Sequence, residues 1–254
     1  MQLAWGASTH PGTRRPTNED SYCAREDLGL FVVADGMGGH QAGEVASHLA
    51  VLAIEALVVE TATLDAESWP VPYEPALGRD ANRLRAAFLV ANHRLRSEAS
   101  RSLELTGMAT TASALLVDGA RAAIAHVGDS RVYLLRSGVL TRVTEDHSWV
   151  EEQVRAGTLS ARDARAHPWR SVVTRALAGG TDPEIDLIEL DLRATDRLLL
   201  CSDGLSAVLS DAQIARTLGG PERADQVADR LVSRANQGGG PDNVTILIVD
   251  IRDR

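Results

Sequence analysis

Six short and nearly unbroken apolar runs constrain this chain more than any other feature: Leu30 to Ala34, Ala112 to Val117, Ala122 to Val127, Val132 to Leu135, Leu198 to Cys201 and Val244 to Val249. A strand with one wet face alternates apolar and polar residues, so runs this uniform predict strands covered on both faces. Between them lie helical repeats. Val45, Leu49, Leu52 and Ala56 recur at four-three-four spacing, as do Leu84, Phe88, Ala91 and Leu95, and Ala224, Val227, Leu231 and Ala235 form a third stripe. Each stripe predicts a long helix with one face to bury. Three strands follow one another from about 109 to 143, with turn signals at Asp118-Gly119, Gly128-Asp129 and Ser137-Gly138. Clustered strands favour antiparallel meanders over a doubly wound parallel sheet. The expected class is α+β, an α-β-β-α sandwich of four layers in which two mostly antiparallel sheets face each other with helices outside.

A length of 254 residues, 44% of them hydrophobic, suffices for one sizeable core, and residues 1–254 read as a single domain. Thr61 to Arg79 holds Pro70, Pro72 and Pro75 without periodicity and reads as a surface connection between two helices. Glu145 to Gly180 is also irregular, with short helical pieces around Trp149 to Ala156 and Ser160 to Ala166, and is placed to lie over a site. Cys23 and Cys201 are far apart with no metal-ligand spacing, which argues against a disulfide scaffold and against zinc. Neither a secretion signal nor an apolar run of about 18 residues is visible, so the expectation is a cytoplasmic protein with no membrane partner. A net charge of -9 disfavours nucleic acid as the main partner.

The acids carry the chemistry. Asp35 follows the first apolar run and opens Asp35-Gly36-Met37-Gly38-Gly39-His40; Asp203 follows the fifth; Asp242 closes a Gly238-Gly239-Gly240-Pro241 stretch before the last; Asp129 sits between two strands. Carboxylates at the mouths of buried strands are held by a sheet and can converge. Hard cations such as Mg²⁺ and Mn²⁺ take oxygen ligands, and glycine beside an acid lets a backbone carbonyl join them. Two such ions about 4 Å apart, bridged by one carboxylate, would activate a shared water for in-line attack on phosphorus.

In this order the motifs resemble the PPM family of metal-dependent serine/threonine phosphatases, type 2C, in its compact bacterial form. Arg15-Pro16-Thr17-Asn18-Glu19-Asp20 is similar to the family's opening motif, and Asp35 to Glu44, DGMGGHQAGE, to its most diagnostic segment. Gly107-Met108-Ala109-Thr110-Thr111, His126 to Arg131, Cys201 to Leu205 and Gly240 to Thr245 follow. Ala109 stands where the family usually has glycine.

The resemblance implies two core ions, Mn²⁺ or Mg²⁺, with Asp35 bridging both, the Gly36 carbonyl on one, and Asp203 and Asp242 on the other. It implies Glu19 at a metal through water, Asp20 supporting that shell, Arg15 (or, one register away, Arg14) gripping the phosphate, and His40 protonating the leaving alkoxide. Bacterial members add a third metal position, for which Asp129 and Ser171 are the candidates, and a flap, here about 145–180. The implied partners are phosphorylated proteins, among them a serine/threonine kinase or its targets, and the implied state is a monomer. His48, His93, His126, His147 and His167 read as structural, Glu44 as support for a helix N-terminus, and Trp149 and Trp169 as pins for the flap. Two other readings remain at this stage: a phosphatase-like module that senses a ligand without turnover, and a metal hydrolase of another substrate class, such as a nuclease.

Overall fold

The structure is a computed structural model and describes residues 1–38 and 41–253. In chain order its elements are β1 (Gln2–His10), β2 (Asp20–Arg25), β3 (Leu30–Met37), α1 (Ala42–Thr61), α2 (Arg79–Ala99), β4 (Ala109–Thr110), β5 (Ala112–Asp118), β6 (Arg121–Val127), β7 (Arg131–Arg136), β8 (Val139–Arg142), α3 (Trp149–Arg155), α4 (Ala161–Ala166), β9 (Asp186–Asp191), β10 (Arg197–Cys201), α5 (Asp203–Ser206), α6 (Asp211–Leu218), α7 (Ala224–Gln237) and β11 (Val244–Arg252).

The apolar runs are two-faced because alternate residues serve different cores. From β3, Phe31 and Val33 point to one cluster while Leu30, Val32 and Ala34 join another with α1 and α2. From β11, Leu247, Val249 and Ile251 meet Phe31, while Ile246 and Ile248 pack on α5, α6 and α7. The result is two antiparallel sheets, ordered β1-β11-β10-β7-β8 and β2-β3-β5-β6-β9, with β4 added beside β3. The cluster around Phe31 fills the space between them, and each outer face carries its own helices. This is the expected α-β-β-α layering.

Two details differ from the sequence reading. The three strands from 109 to 143 are not one meander. β5 and β6 form a hairpin in one sheet and β7 and β8 a hairpin in the other, so residues 128–130 cross from sheet to sheet. Gly128 makes the crossing possible: its φ is +114°, and a Cβ there would strike the Thr111 side chain. In the stripe Val45, Leu49, Leu52 and Ala56 on α1, Val45 and Leu49 pack partly against the core and Leu52 and Ala56 are exposed. Ala46, Ala50, Ala53, Ile54, Leu57 and Val58 are the buried ones, because α1 touches both a sheet and α2 and so buries a wide apolar arc. By composition alone α1 is long and apolar enough to cross a membrane, with mean hydropathy 1.7, yet 56% of that window is packed inside the fold.

The strands that carry no apolar run, β1, β2, β8 and β9, are the four sheet edges, where mixed residues suffice. The short helix α6 lacks a long stripe as well. Its start is nonetheless written in the sequence, since Ser210 and Gln213 form a reciprocal capping box.

Candidate metal centre

Asp35 lies within β3 rather than beyond its end, and its main chain is fixed from three directions. The Thr111 N–H and the Thr110 hydroxyl both donate to the Asp35 carbonyl at 2.9 Å, and the Asp35 N–H donates to Thr111 Oγ1 at 3.1 Å. Its cross-strand partner in β2 is Asp20. Gly36 follows, with its N–H on the Glu19 carbonyl at 3.1 Å, and a Cβ at position 36 would collide with the Gly43 carbonyl of α1. Only glycine lets helix and strand close this tightly beside the acids. Ala109, in β4, pairs with Met37 and is buried, so the departure from the family's glycine sits one residue from Thr110 at the edge of the site.

Asp203 is the first residue of α5, directly after β10, and Asp242 lies in the loop that feeds β11. Burial, then the Asp20, Asp203, Asp129 and Asp242 charges, push the Asp35 carboxyl well above the ordinary carboxylate range. Burial and Asp242 raise Asp203 to about 6, although Arg131 and a hydrogen bond with Asp35 work the other way. Burial raises Asp20 to about 7, with Asp203 and Asp242 adding to it against hydrogen bonds from Ser202 and Thr245. Burial, then Asp203 and Asp146, raise Asp129 strongly, and burial, Asp242 and Glu44 raise Glu19. The sandwich thus brings Glu19, Asp20, Asp35, Asp129, Asp203 and Asp242 to one electrostatic neighbourhood.

Asp20 Oδ2 accepts from Ser202 at 2.7 Å, while its Oδ1 is buried without a hydrogen-bond partner. Crowded, desolvated oxygens with an orphaned acceptor among them are the donor set a hard divalent cation requires. Among the described residues no three His, Cys, Asp or Glu side chains already close on one point. Arg15 Nη2 grips Asp242 Oδ2 at 2.7 Å. Of the two adjacent arginines, Arg15 is the one paired with an acid of the cluster, and its guanidinium is exposed. His40 lies outside the described residues.

Asp129 is not spent on Arg131. The guanidinium fork of Arg131 goes to Asp146, Nε to Oδ1 at 2.8 Å and Nη2 to Oδ2 at 2.6 Å, which anchors the base of the 145–180 segment to the crossing that carries Asp129. His147 fastens the same place, donating its N–H to the Gly128 carbonyl at 2.7 Å and accepting the Gly128 N–H on Nδ1 at 3.1 Å. His126 is buried between Ser113 and the Glu145 carbonyl, and its pKa falls to about 4 through desolvation and the adjacent His147 ring, as suits a structural histidine. Ser171 is exposed on the turn after α4; among the described residues no hydrogen bond ties it to an acid, and it caps no helix. Trp149 stacks on His167 at 4.9 Å and meets Trp169 edge-on at 4.8 Å, so these rings hold the segment to itself rather than to the core.

Sequence reasoning overlooked Ser202, Thr110, Thr111, Arg131, Asp146 and Asn243. All but Asp146 lie inside or beside the quoted motifs, which is the signal that was available.

The arrangement is a cluster of buried carboxylates at one end of a two-sheet sandwich, a fold that similar proteins share. Residues 14–241 match the family model described as Protein phosphatase 2C. The serine/threonine protein phosphatase PstP of Mycobacterium tuberculosis is 42% identical over 253 residues, which is 100% of this chain and 46% of that protein. Its crystal structure superposes with a TM-score of 0.88 at 39% identity, each chain being covered completely. A structure of the PstP catalytic domain in complex with two manganese ions gives 0.84 at 38% identity over 99% of both chains. The chain belongs to the protein phosphatase 2C family. It spans about half the length of that curated relative.

Proposed function

We propose that this chain is a metal-dependent phosphoprotein phosphatase that hydrolyses phosphoserine and phosphothreonine. The observation that carries the proposal is the set of mutually repelling, desolvated carboxylates around Asp35, with Arg15 at its rim. Its family and the two manganese ions of the PstP structure support it.

In this reading the Asp35 carboxylate, the Gly36 carbonyl, Asp203 and Asp242 would hold the ions, with Asp35 shared between them. Glu19 binds through water, and Asp20 steadies that shell with its Ser202 bond. Mn²⁺ or Mg²⁺, when bound, supplies Lewis acidity and lowers the pKa of a shared water. Arg15 turns its guanidinium from Asp242 to the phosphate oxygens, for which its fork has the right shape. With Asp242 committed to a metal, Arg15 would be free for that role. His40 protonates the leaving alkoxide. Asp129 and Ser171 serve a third ion, and the 145–180 segment is the flap over it. Residues 1–254 act as one catalytic unit, a monomer in the cytoplasm, where Cys23 and Cys201 stay reduced and buried, and its substrates are phosphorylated proteins, including a kinase or its targets.

Purified protein should release phosphate from p-nitrophenyl phosphate and from a phosphothreonine peptide with Mn²⁺ and lose that activity in EDTA. A folded, Mn²⁺-binding protein that releases none would instead be a sensing module, and one that nicks plasmid DNA a nuclease.

A further inference from the structure

The motif Gly240-Pro241-Asp242-Asn243 gives its aspartate to the metal reading, and its asparagine has no part in it. The Asn243 side chain is buried, 5% exposed, and all three of its hydrogen bonds go to one segment far away in sequence. Nδ2 donates to the Pro11 carbonyl at 2.9 Å and to the Thr17 carbonyl at 2.8 Å, and Oδ1 accepts the Glu19 N–H at 2.8 Å. One amide thus uses both donors and its acceptor on the two feet of an arch, residues 11–19, whose crown is Arg14, Arg15 and Pro16. The crown is exposed, and its inward tie is Arg15 to Asp242, the residue next to Asn243. A second tether holds the near foot, where the Thr13 N–H donates to the Gly240 carbonyl at 2.9 Å and the Thr13 hydroxyl to the Gly239 carbonyl at 2.8 Å. The far foot, Thr17 to Glu19, is held by Asn243, by the Asn18 bond to Thr9 at 2.8 Å, and at its inner end by the Glu19 carbonyl, which accepts from the Gly36 N–H at 3.1 Å and from Ser47 Oγ at 2.6 Å.

We infer that Asn243 is the positioning residue for the phosphate-gripping arch: it sets the spacing of the two feet and thereby aims the Arg15 guanidinium. The inference rests on the phosphatase reading for what Arg15 grips, and on geometry alone for what Asn243 holds. Asparagine is required chemically, since the position needs two donors and one acceptor in one plane. Aspartate has the same shape, yet it would set a negative oxygen against two carbonyls and release both.

The test is a double-mutant cycle with Arg15. Asn243→Ala and Asn243→Asp should each raise KM for a phosphothreonine peptide, and the inhibition constant of inorganic phosphate, by about tenfold, with kcat changed less than about threefold. Arg15→Ala should cost at least as much, and adding Asn243→Ala to Arg15→Ala should cost no more. Effects that multiply, or a fall in kcat at unchanged KM and phosphate inhibition, would overturn the inference. Hydrogen exchange of the metal-free proteins supplies an arm independent of activity: the amides of Thr13 and Glu19, one hydrogen-bonded in each foot, should exchange at least about tenfold faster in Asn243→Ala, while those of β3 and β5 stay protected. Unchanged protection of the arch would also overturn it. A wild-type protein without phosphatase activity would refute the phosphatase reading, and the exchange arm would still decide the role of Asn243.

Discussion

At the scale of single residues the centre is built at the expense of the metal-free fold. Asp20 is raised to about 7 and Asp203 to about 6, both chiefly by burial, with the Asp203 and Asp242 charges adding to it at Asp20 and the Asp242 charge at Asp203. A carboxyl whose folded pKa is raised binds its proton more tightly in the native state. Its contribution to stability is complete below pH about 4 and is lost as pH rises through the folded value. The metal-free protein should therefore lose Tm between about pH 4 and 7, and the rise in Tm on adding Mn²⁺ should grow across the same interval, because cations and protons compete for the same oxygens. Differential scanning fluorimetry with EDTA and with Mn²⁺ checks both slopes. Asp20→Asn keeps an acceptor for Ser202 and removes a buried charge, so it should raise the metal-free Tm while weakening Mn²⁺ binding by about 10–100-fold in calorimetry. The acids were readable because hard-metal chemistry needs particular residues beside glycine at strand mouths. Their hydrogen-bond supports were less so: Ser202 acts on Asp20 from 182 positions away, and only the fold joins them.

At the scale of elements, the buried strands were plain in sequence because both their faces are apolar, whereas edge strands such as β1 and β9 carry mixed residues and no signal of that kind. Helix α1 misled the periodicity because it is apolar nearly all round, and the small residues Ala46, Ala50 and Ala53, rather than Leu49 and Leu52, form its buried side. Leu52→Lys, at 44% exposure, should then shift stability by less than about 0.5 kcal/mol, while Phe31→Ala in the inter-sheet cluster should cost about 3–5 kcal/mol in denaturant unfolding. Arg131→Ala would leave Asp146 buried beside Asp129 with its bidentate partner gone, and about 3–5 kcal/mol is the expected loss. The same change should loosen the base of the 145–180 segment and speed its proteolytic cleavage. No local pattern announced that pair, since the two residues lie in a strand and in an irregular stretch.

At the scale of the whole molecule, the sandwich puts together acids that the chain keeps far apart. Asp20 and Asp35 come from one sheet, Asp203 and Asp242 from the ends flanking two neighbouring strands of the other, and Asp129 from the crossing between them. The layering was foreseeable from two-faced strands. The assignment of each hairpin to its sheet was not, since Gly128-Asp129 reads locally as another turn. In the proposed function this convergence would hold the catalytic ions, with Asp35 shared between them. Its most direct test is hydrolysis of a phosphothreonine peptide across a Mn²⁺ titration, wild type beside Asp35→Asn, with folding of both verified by Tm. The account predicts saturable, EDTA-reversible turnover in the wild type and a loss of at least about 100-fold in the variant at every Mn²⁺ concentration. Turnover by Asp35→Asn within a few-fold of wild type, at similar Mn²⁺ demand, would contradict it.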